Sequence, residues 1–171
     1  MIRNTFLTVS LLLLAYGFGL ADRLHQPLAL QRQAADLIPV VTSDEILAQI
    51  NRGAKVVFID ARESTEFEEN HLPGALNLTL REVPDTVASR FKDADLVVTY
   101  CLKDFRGYEL GRALQARGLQ NVRLMKDHGI NGWKKNALPI AGRLGLPEKE
   151  ALARLQVCAQ DKNQCLQKKA S

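Results

Sequence analysis

Three short apolar runs constrain the fold of this chain most: Val56-Val57-Phe58-Ile59, Leu96-Val97-Val98-Thr99-Tyr100 and Val122-Arg123-Leu124-Met125. Each has strand length, and the first two are continuous, which marks strands covered on both faces. Helix signals separate them. Thr42 and Glu45 have the spacing of a capping box ahead of a helix over Asp44–Arg52, which presents Ile46, Leu47 and Ile50 and stops at Gly53. Ser64 is placed to cap a short helix through Asn70, and Leu76-Asn77-Leu78 reads as a short strand. Pro84–Arg90 and Gly107–Arg117 read as helices, and a further short helix around Asn131–Asn136 carries Trp133. Strands alternating with helices predict an α/β fold with a parallel sheet and helices on both of its faces. In such sheets the functional loops lie beyond the carboxyl ends of the strands, where Asp60 and Cys101 fall.

Cys101 stands at a strand–loop–helix junction, followed by Leu102-Lys103-Asp104-Phe105-Arg106-Gly107. A thiol there faces loop N–H groups and a helix N-terminus, partial positive charges that favour the nucleophilic thiolate. Arg106 adds a full charge, so the loop reads as a pocket for sulfur chemistry on a small anion. The competing reading is a buried, inert structural cysteine.

The chain has 171 residues with a formal charge of +4, enough for one domain and short extensions. The basic residues are dispersed and seldom interleaved with aromatics, which argues against nucleic-acid binding. At the N-terminus, Arg3 precedes a leucine-rich run over residues 6–21 ending in small residues. That run fits an export signal cleaved near Asp22, or a membrane anchor. The expected organisation is a signal peptide or anchor over 1–21, a linker over 22–41, a domain over 42–142 and a helical tail over 143–171. The location expected is the bacterial periplasm, soluble or tethered to the inner membrane by residues 6–21.

In an exported protein Cys158 and Cys165 read as a disulfide, leaving Cys101 as a free thiol. Along a continuous helix seven residues separate Cα atoms by roughly 10 Å, beyond the ~7 Å reach of a disulfide. Either the tail turns, with Asp161-Lys162-Asn163 the candidate, or both cysteines stay reduced.

Three patterns together resemble the rhodanese family. Asp60-Ala61-Arg62-Glu63 with Phe67-Glu68-Glu69-Asn70-His71-Leu72-Pro73-Gly74-Ala75 is similar to its signature after the first buried strand. The cysteine loop is the second pattern, and Gly129-Ile130-Asn131-Gly132-Trp133 with Leu138-Pro139-Ile140 resembles the closing motif. The resemblance implies a parallel sheet of about five strands flanked by helices, between the N-terminal hydrophobic segment and the C-terminal helical tail. It implies a thiosulfate sulfurtransferase, with Cys101 taking a sulfane sulfur as a persulfide and passing it to a thiol or cyanide. Lys103 and Arg106 would hold the donor, with Leu102, Asp104, Phe105 and Gly107 completing the loop; no metal or cofactor is implied. The partners implied are a small sulfur-containing anion and a protein thiol acceptor.

The four residues between Cys101 and Arg106 match sulfur-transferring rhodaneses; related phosphatases have five. The loop departs from the family at Asp104, where a glycine is usual, and at Gly107, where a serine is. His128 and Ala137 likewise stand where glycines are expected. A carboxylate near the cysteine opposes thiolate formation and repels a dianionic donor, unless the Asp104 side chain points outward to pair with Lys103 or Arg106; aspartate tolerates the left-handed conformation of that glycine better than most residues. If the side chain faces the N–H groups instead, the alternative gains: a catalytically weak binding or sulfur-relay module. His71 is expected to bond backbone within its turn, Asp60 and Arg62 to form a structural ion pair, and Trp133 to plug the core.

Overall fold

The computed structural model describes residues 37–84, 87–126 and 128–167. The hydrophobic run of residues 6–21 and most of the linker reading lie outside the described residues. Among those described, no helix is long and apolar enough to cross a membrane.

The elements are β1 (Val40–Val41), α1 (Ser43–Asn51), β2 (Val56–Asp60), α2 (Ser64–Glu69), β3 (Leu76–Asn77), α3 (Val87–Arg90), β4 (Leu96–Tyr100), α4 (Phe105–Ala116), β5 (Val122–Met125), α5 (Gly129–Lys135), α6 (Glu148–Gln160) and α7 (Lys162–Gln167). They build one sheet in the order β1-β5-β4-β2-β3. All four pairings are parallel. Val40–Val41 lies within the stretch read as a linker; it pairs with Leu124 and Met125 as an edge strand. Two residues are too few for a periodic signal, so only the pairing reveals it. Of the helix read over Pro84–Arg90, the described residues Val87–Arg90 are helical. The cap assigned to Ser64 belongs one residue earlier, where Glu63 and Glu66 close a capping box. The box at Thr42 and Glu45 forms as its spacing predicts.

Side chains along a strand alternate between faces, and β4 divides its residues accordingly. Leu96, Val98 and Tyr100 join Phe58, Ile46, Ile130 and Trp133 in one apolar cluster. Val97 and Cys101 join Ile59, Leu110, Leu114 and Val122 in the other. Trp133 is fully buried edge-on to Phe58 at 5.7 Å, and its indole N–H donates to the Pro139 carbonyl.

Within the tail, α6 runs from Glu148 to Gln160, the chain turns at Asp161, and α7 follows. That turn brings the Cys158 and Cys165 Cα atoms to 4.8 Å, and the two are joined as a disulfide within the first cluster. At its other end α6 presents Glu148 to the His71–Gly74 turn.

His128 and Ala137, both standing where glycines were expected, have φ of 66° and 55°, in the left-handed region. At Ala137 this closes α5: the Ala137 N–H donates to the Lys134 carbonyl and the Leu138 N–H to that of Trp133. Those two bonds define a Schellman motif, whose left-handed residue is usually glycine. Ala137→Gly is therefore expected to stabilise the protein by about 1 kcal/mol, read as a higher midpoint in urea at unchanged slope. A lower midpoint would show that the methyl group contributes more than the strain costs.

Candidate active site

The sheet order opens a crevice in a definite place. From β2 the chain moves outward to β3, whereas from β4 it moves the other way to β5. Neighbouring strands whose connections diverge part at their carboxyl ends, where ligands of open α/β sheets bind. Ala61 and Cys101 are the first residues past those ends, and the Ala61 N–H donates to the Tyr100 carbonyl at 2.9 Å.

Cys101 continues the β4 alternation toward α4 and is 3% exposed. Its carbonyl accepts from the Ile130 N–H at 3.0 Å, fixing the loop to the first turn of α5. A side chain at Gly129 would run into the carbonyl oxygens of Cys101 and Lys103. Gly107 serves the opposite flank. A Cβ there would lie 3.0 Å from the Tyr100 backbone, so glycine lets α4 start against β4. The helix N-terminus is thereby held at the cysteine loop.

Asp104 occupies the N-cap of α4 without making a side-chain cap bond. Its carboxylate lies 3.2 Å from His128 Nδ1, on the exposed side of the loop. Two points left open by the sequence are decided here. Asp104 has φ of −131°, so no left-handed conformation is required, and its partner is His128 rather than Lys103 or Arg106. The reason is the left-handed turn at His128, which carries the imidazole across to the loop from 24 residues away in sequence. The first-turn N–H groups of α4, which an aspartate usually caps, are left facing the loop.

The remaining loop side chains divide by character. Leu102 and Phe105 face outward, 40% and 74% exposed. Lys103 is exposed as well. Arg106 is engaged from outside the loop: its two terminal nitrogens donate to the Glu66 carboxylate at 2.6 and 2.9 Å. Bonded in this way, Arg106 holds Glu66 below the usual carboxylate range, and Glu66 raises Arg106 above its ordinary value. The Cys101 sulfur is close enough to add to the second effect.

Above the α4 N-terminus lies a cleft of about 160 Å³, lined among others by Ala61, Leu80, Arg81, Phe105, Arg106 and Glu109. Cys101 is not part of that lining. Sequence reasoning missed Glu66 and the cleft residues Leu80, Arg81 and Glu109. Glu66 carries a local signal, the capping spacing from Glu63, but nothing in the sequence links it to Arg106.

Asp60 and Arg62 are buried at 0% and 2% exposure and form a bidentate pair, with Nε–Oδ1 at 3.0 Å and Nη2–Oδ2 at 2.7 Å. Arg62 also donates to the Asn70 carbonyl. Burial opposes the Arg62 charge, yet the bonds to Asp60 raise its pKa overall. Burial, then the Asp60 charge, pushes the Tyr100 phenol well above its usual value. That hydroxyl accepts from the Leu72 N–H at 3.1 Å, tying the network to the next turn. His71 faces away from the loop: Nδ1 meets the Phe67 carbonyl at 2.7 Å and Nε2 meets Glu148 at 2.9 Å.

Residues 42–136 match the Rhodanese-like domain family. The chain belongs to that family. A sulfurtransferase from Allochromatium vinosum is 26% identical over 109 residues, covering 64% of this chain and all of that protein. An HTH-type transcriptional regulator from Mycobacterium tuberculosis is 29% identical over 113 residues, 63% of this chain. The match spans 48% of the regulator, about half its length. The solution structure of a rhodanese-like domain from Anabaena sp. superposes with a TM-score of 0.55 at 20% identity. It covers 62% of this chain and 80% of that chain, and shows the shared fold. At family level the rhodanese domain and its sulfurtransferase relative support an enzyme of the sulfurtransferase type.

Proposed function

We propose that this rhodanese domain transfers a sulfane sulfur through a persulfide on Cys101. The observation that carries the reading is the uncapped start of α4 beside the cysteine: Asp104 turns to His128 and leaves the first-turn N–H groups to the loop. Such donors stabilise a terminal persulfide anion as an oxyanion hole stabilises oxygen. In the first half-reaction the Cys101 thiolate attacks the outer sulfur of thiosulfate, whose S–S bond breaks. Sulfite leaves with the bonding electron pair, and the sulfane sulfur stays on Cys101. A thiolate or cyanide then attacks that outer sulfur and restores the Cys101 thiolate, so no external oxidant is needed. Lys103, exposed on the loop, supplies positive charge for an incoming anion.

A second reading draws on the 3% exposure of Cys101 and the engagement of Arg106 by Glu66. Those favour a domain that binds a partner without turning over sulfur. One experiment separates the two. The intact protein is incubated with a sulfane donor and weighed by mass spectrometry. Sulfur transfer predicts a gain of one sulfur atom, absent in Cys101→Ser and removed by added cyanide. No gain from thiosulfate or from an organic hydropersulfide would leave only the binding module.

The Cys158–Cys165 disulfide supports an oxidising location, since such bridges persist mainly outside the cytosol. We propose a periplasmic location, which that bridge and the leader-like residues 6–21 support.

A further inference from the structure

We propose that the cavity between the end of α5, the loop over residues 140–146 and α6 is a binding site for a compact apolar monocarboxylate. Its lining shares no residue with the Cys101 loop, so the site stands apart from sulfur transfer.

The backbone fixes its walls. The left-handed turn at Ala137 ends α5 and starts the strip Leu138-Pro139-Ile140. The chain then closes a tight loop: the Leu146 N–H donates to the Ile140 carbonyl at 2.9 Å and the Gly142 N–H to the Leu146 carbonyl at 3.3 Å. A Cβ at Gly145 would lie 2.6 Å from that Ile140 oxygen, so a glycine lets the loop close this far. The Leu144 N–H donates to the Glu69 carbonyl at 2.7 Å, which ties the loop to the end of α2. Leu144 is thereby held 63% exposed on a fixed backbone. With Leu138, Ile140 and Leu146 it lines a cavity of about 360 Å³, a volume within the range of small-molecule sites.

Charge completes the site. Lys134 of α5 and Arg154 of α6 both line the cavity, and no carboxylate does. The charged neighbours are engaged elsewhere: Glu69 pairs with Arg143 at 3.2 Å, and Arg62 is held by Asp60 at 2.7 Å. Glu150, one turn before Arg154, lines an adjoining cleft. Burial and the Arg62 guanidinium lower the Lys134 pKa against the pull of Glu69; an anion beside the ammonium offsets both. Arg154 donates through Nη2 to the Cys165 carbonyl at 3.2 Å, and a guanidinium carries further donors for a ligand.

A carboxylate on a hydrocarbon body meets both features. Its oxygens take the two cations as charge-assisted bonds, and its body covers Leu138, Ile140 and Leu144. A neutral hydrocarbon would cover the cations without a counter-charge, and inorganic phosphate would gain nothing from the apolar wall.

The test titrates the intact protein with 2-naphthoate by isothermal calorimetry, with 2-naphthamide as its neutral counterpart. A Kd on the order of 0.1 mM is expected for naphthoate, ordinary for a ligand of that size. The amide should bind about tenfold more weakly for lack of charge. Lys134→Gln and Arg154→Gln should each weaken naphthoate about fivefold, and Leu144→Ala about threefold through lost apolar contact. Arg52→Gln removes the same charge from a different cleft and should change naphthoate binding by less than about twofold. Thermal melts report folding. Lys134 and Leu144 are exposed, so their variants decide the matter even where loss of the Arg154–Cys165 bond disturbs the tail. No binding at millimolar naphthoate, equal affinity for acid and amide, or full affinity in Lys134→Gln would overturn the proposal. Displacement of naphthoate by an equal concentration of inorganic phosphate would overturn it too, by showing a general anion patch.

Discussion

Asp60→Ala is expected to destabilise the domain by about 3–5 kcal/mol, because it strands a buried guanidinium. Arg62 is 2% exposed, and its Nε and Nη2 groups both donate to the Asp60 carboxylate. The same carboxylate accepts from the Arg62 backbone N–H at 3.0 Å. Without it, the guanidinium keeps the Asn70 carbonyl as its hydrogen-bond acceptor, and Glu66, which acts on it without a bond, is the negative charge that remains. The Tyr100 hydroxyl and the Leu72 N–H that bonds to it would lose their anchor as well. The pair sits where β2 and β4 part, so the damage would spread to the loop that follows Cys101. Urea unfolding monitored by circular dichroism gives the loss directly. A loss under about 1 kcal/mol would mean that Arg62 escapes to solvent in the variant, contrary to a network fixed by burial.

Trp133→Ala should cost a similar amount, about 3–5 kcal/mol, through a different physical term. The indole fills the cluster between the sheet and α5, edge-on to Phe58. Removing it leaves a cavity that a rigid parallel sheet cannot collapse into, and it orphans the Pro139 carbonyl that the indole N–H satisfies. Trp133→Phe separates the two terms, since it keeps most of the volume and loses only the hydrogen bond. It should recover more than half of the loss. If both variants are equally damaged, the hydrogen bond outweighs the packing and the cavity argument is wrong.

The same contrast between local and distant interactions explains which features could be read from the chain. Val56–Asp60 and Leu96–Tyr100 are legible as strands because continuous burial leaves a continuous apolar run. The box at Thr42 and Glu45 and the ion pair at Asp60 and Arg62 are legible because their partners lie three and two residues apart. The strained positions His128 and Ala137 stand out in sequence as departures from expected glycines, and their positive φ shows that the backbone kept the glycine geometry. Asp104 departs from an expected glycine too, yet its backbone moved out of the left-handed region.

The pairings that shape the site join residues far apart in sequence. Arg106 and Glu66 are separated by 40 positions, and His71 and Glu148 by 77. Each is an ordinary polar residue of its own helix or turn, and no spacing rule connects them.

By itself, then, the sequence determined strands β2 to β5 and most of the helices, the parallel sheet and the position of the thiol at a strand end. Each of these follows from hydrophobic period and turn chemistry, which act over a few residues. Only the tertiary structure decided that β2 and β4 diverge to open the crevice, that Asp104 meets His128, and that Glu66 occupies Arg106. Those outcomes depend on which distant segments the folded sheet brings within a few ångströms. Electrostatic pairing is set by that proximity and leaves no periodic trace along the chain.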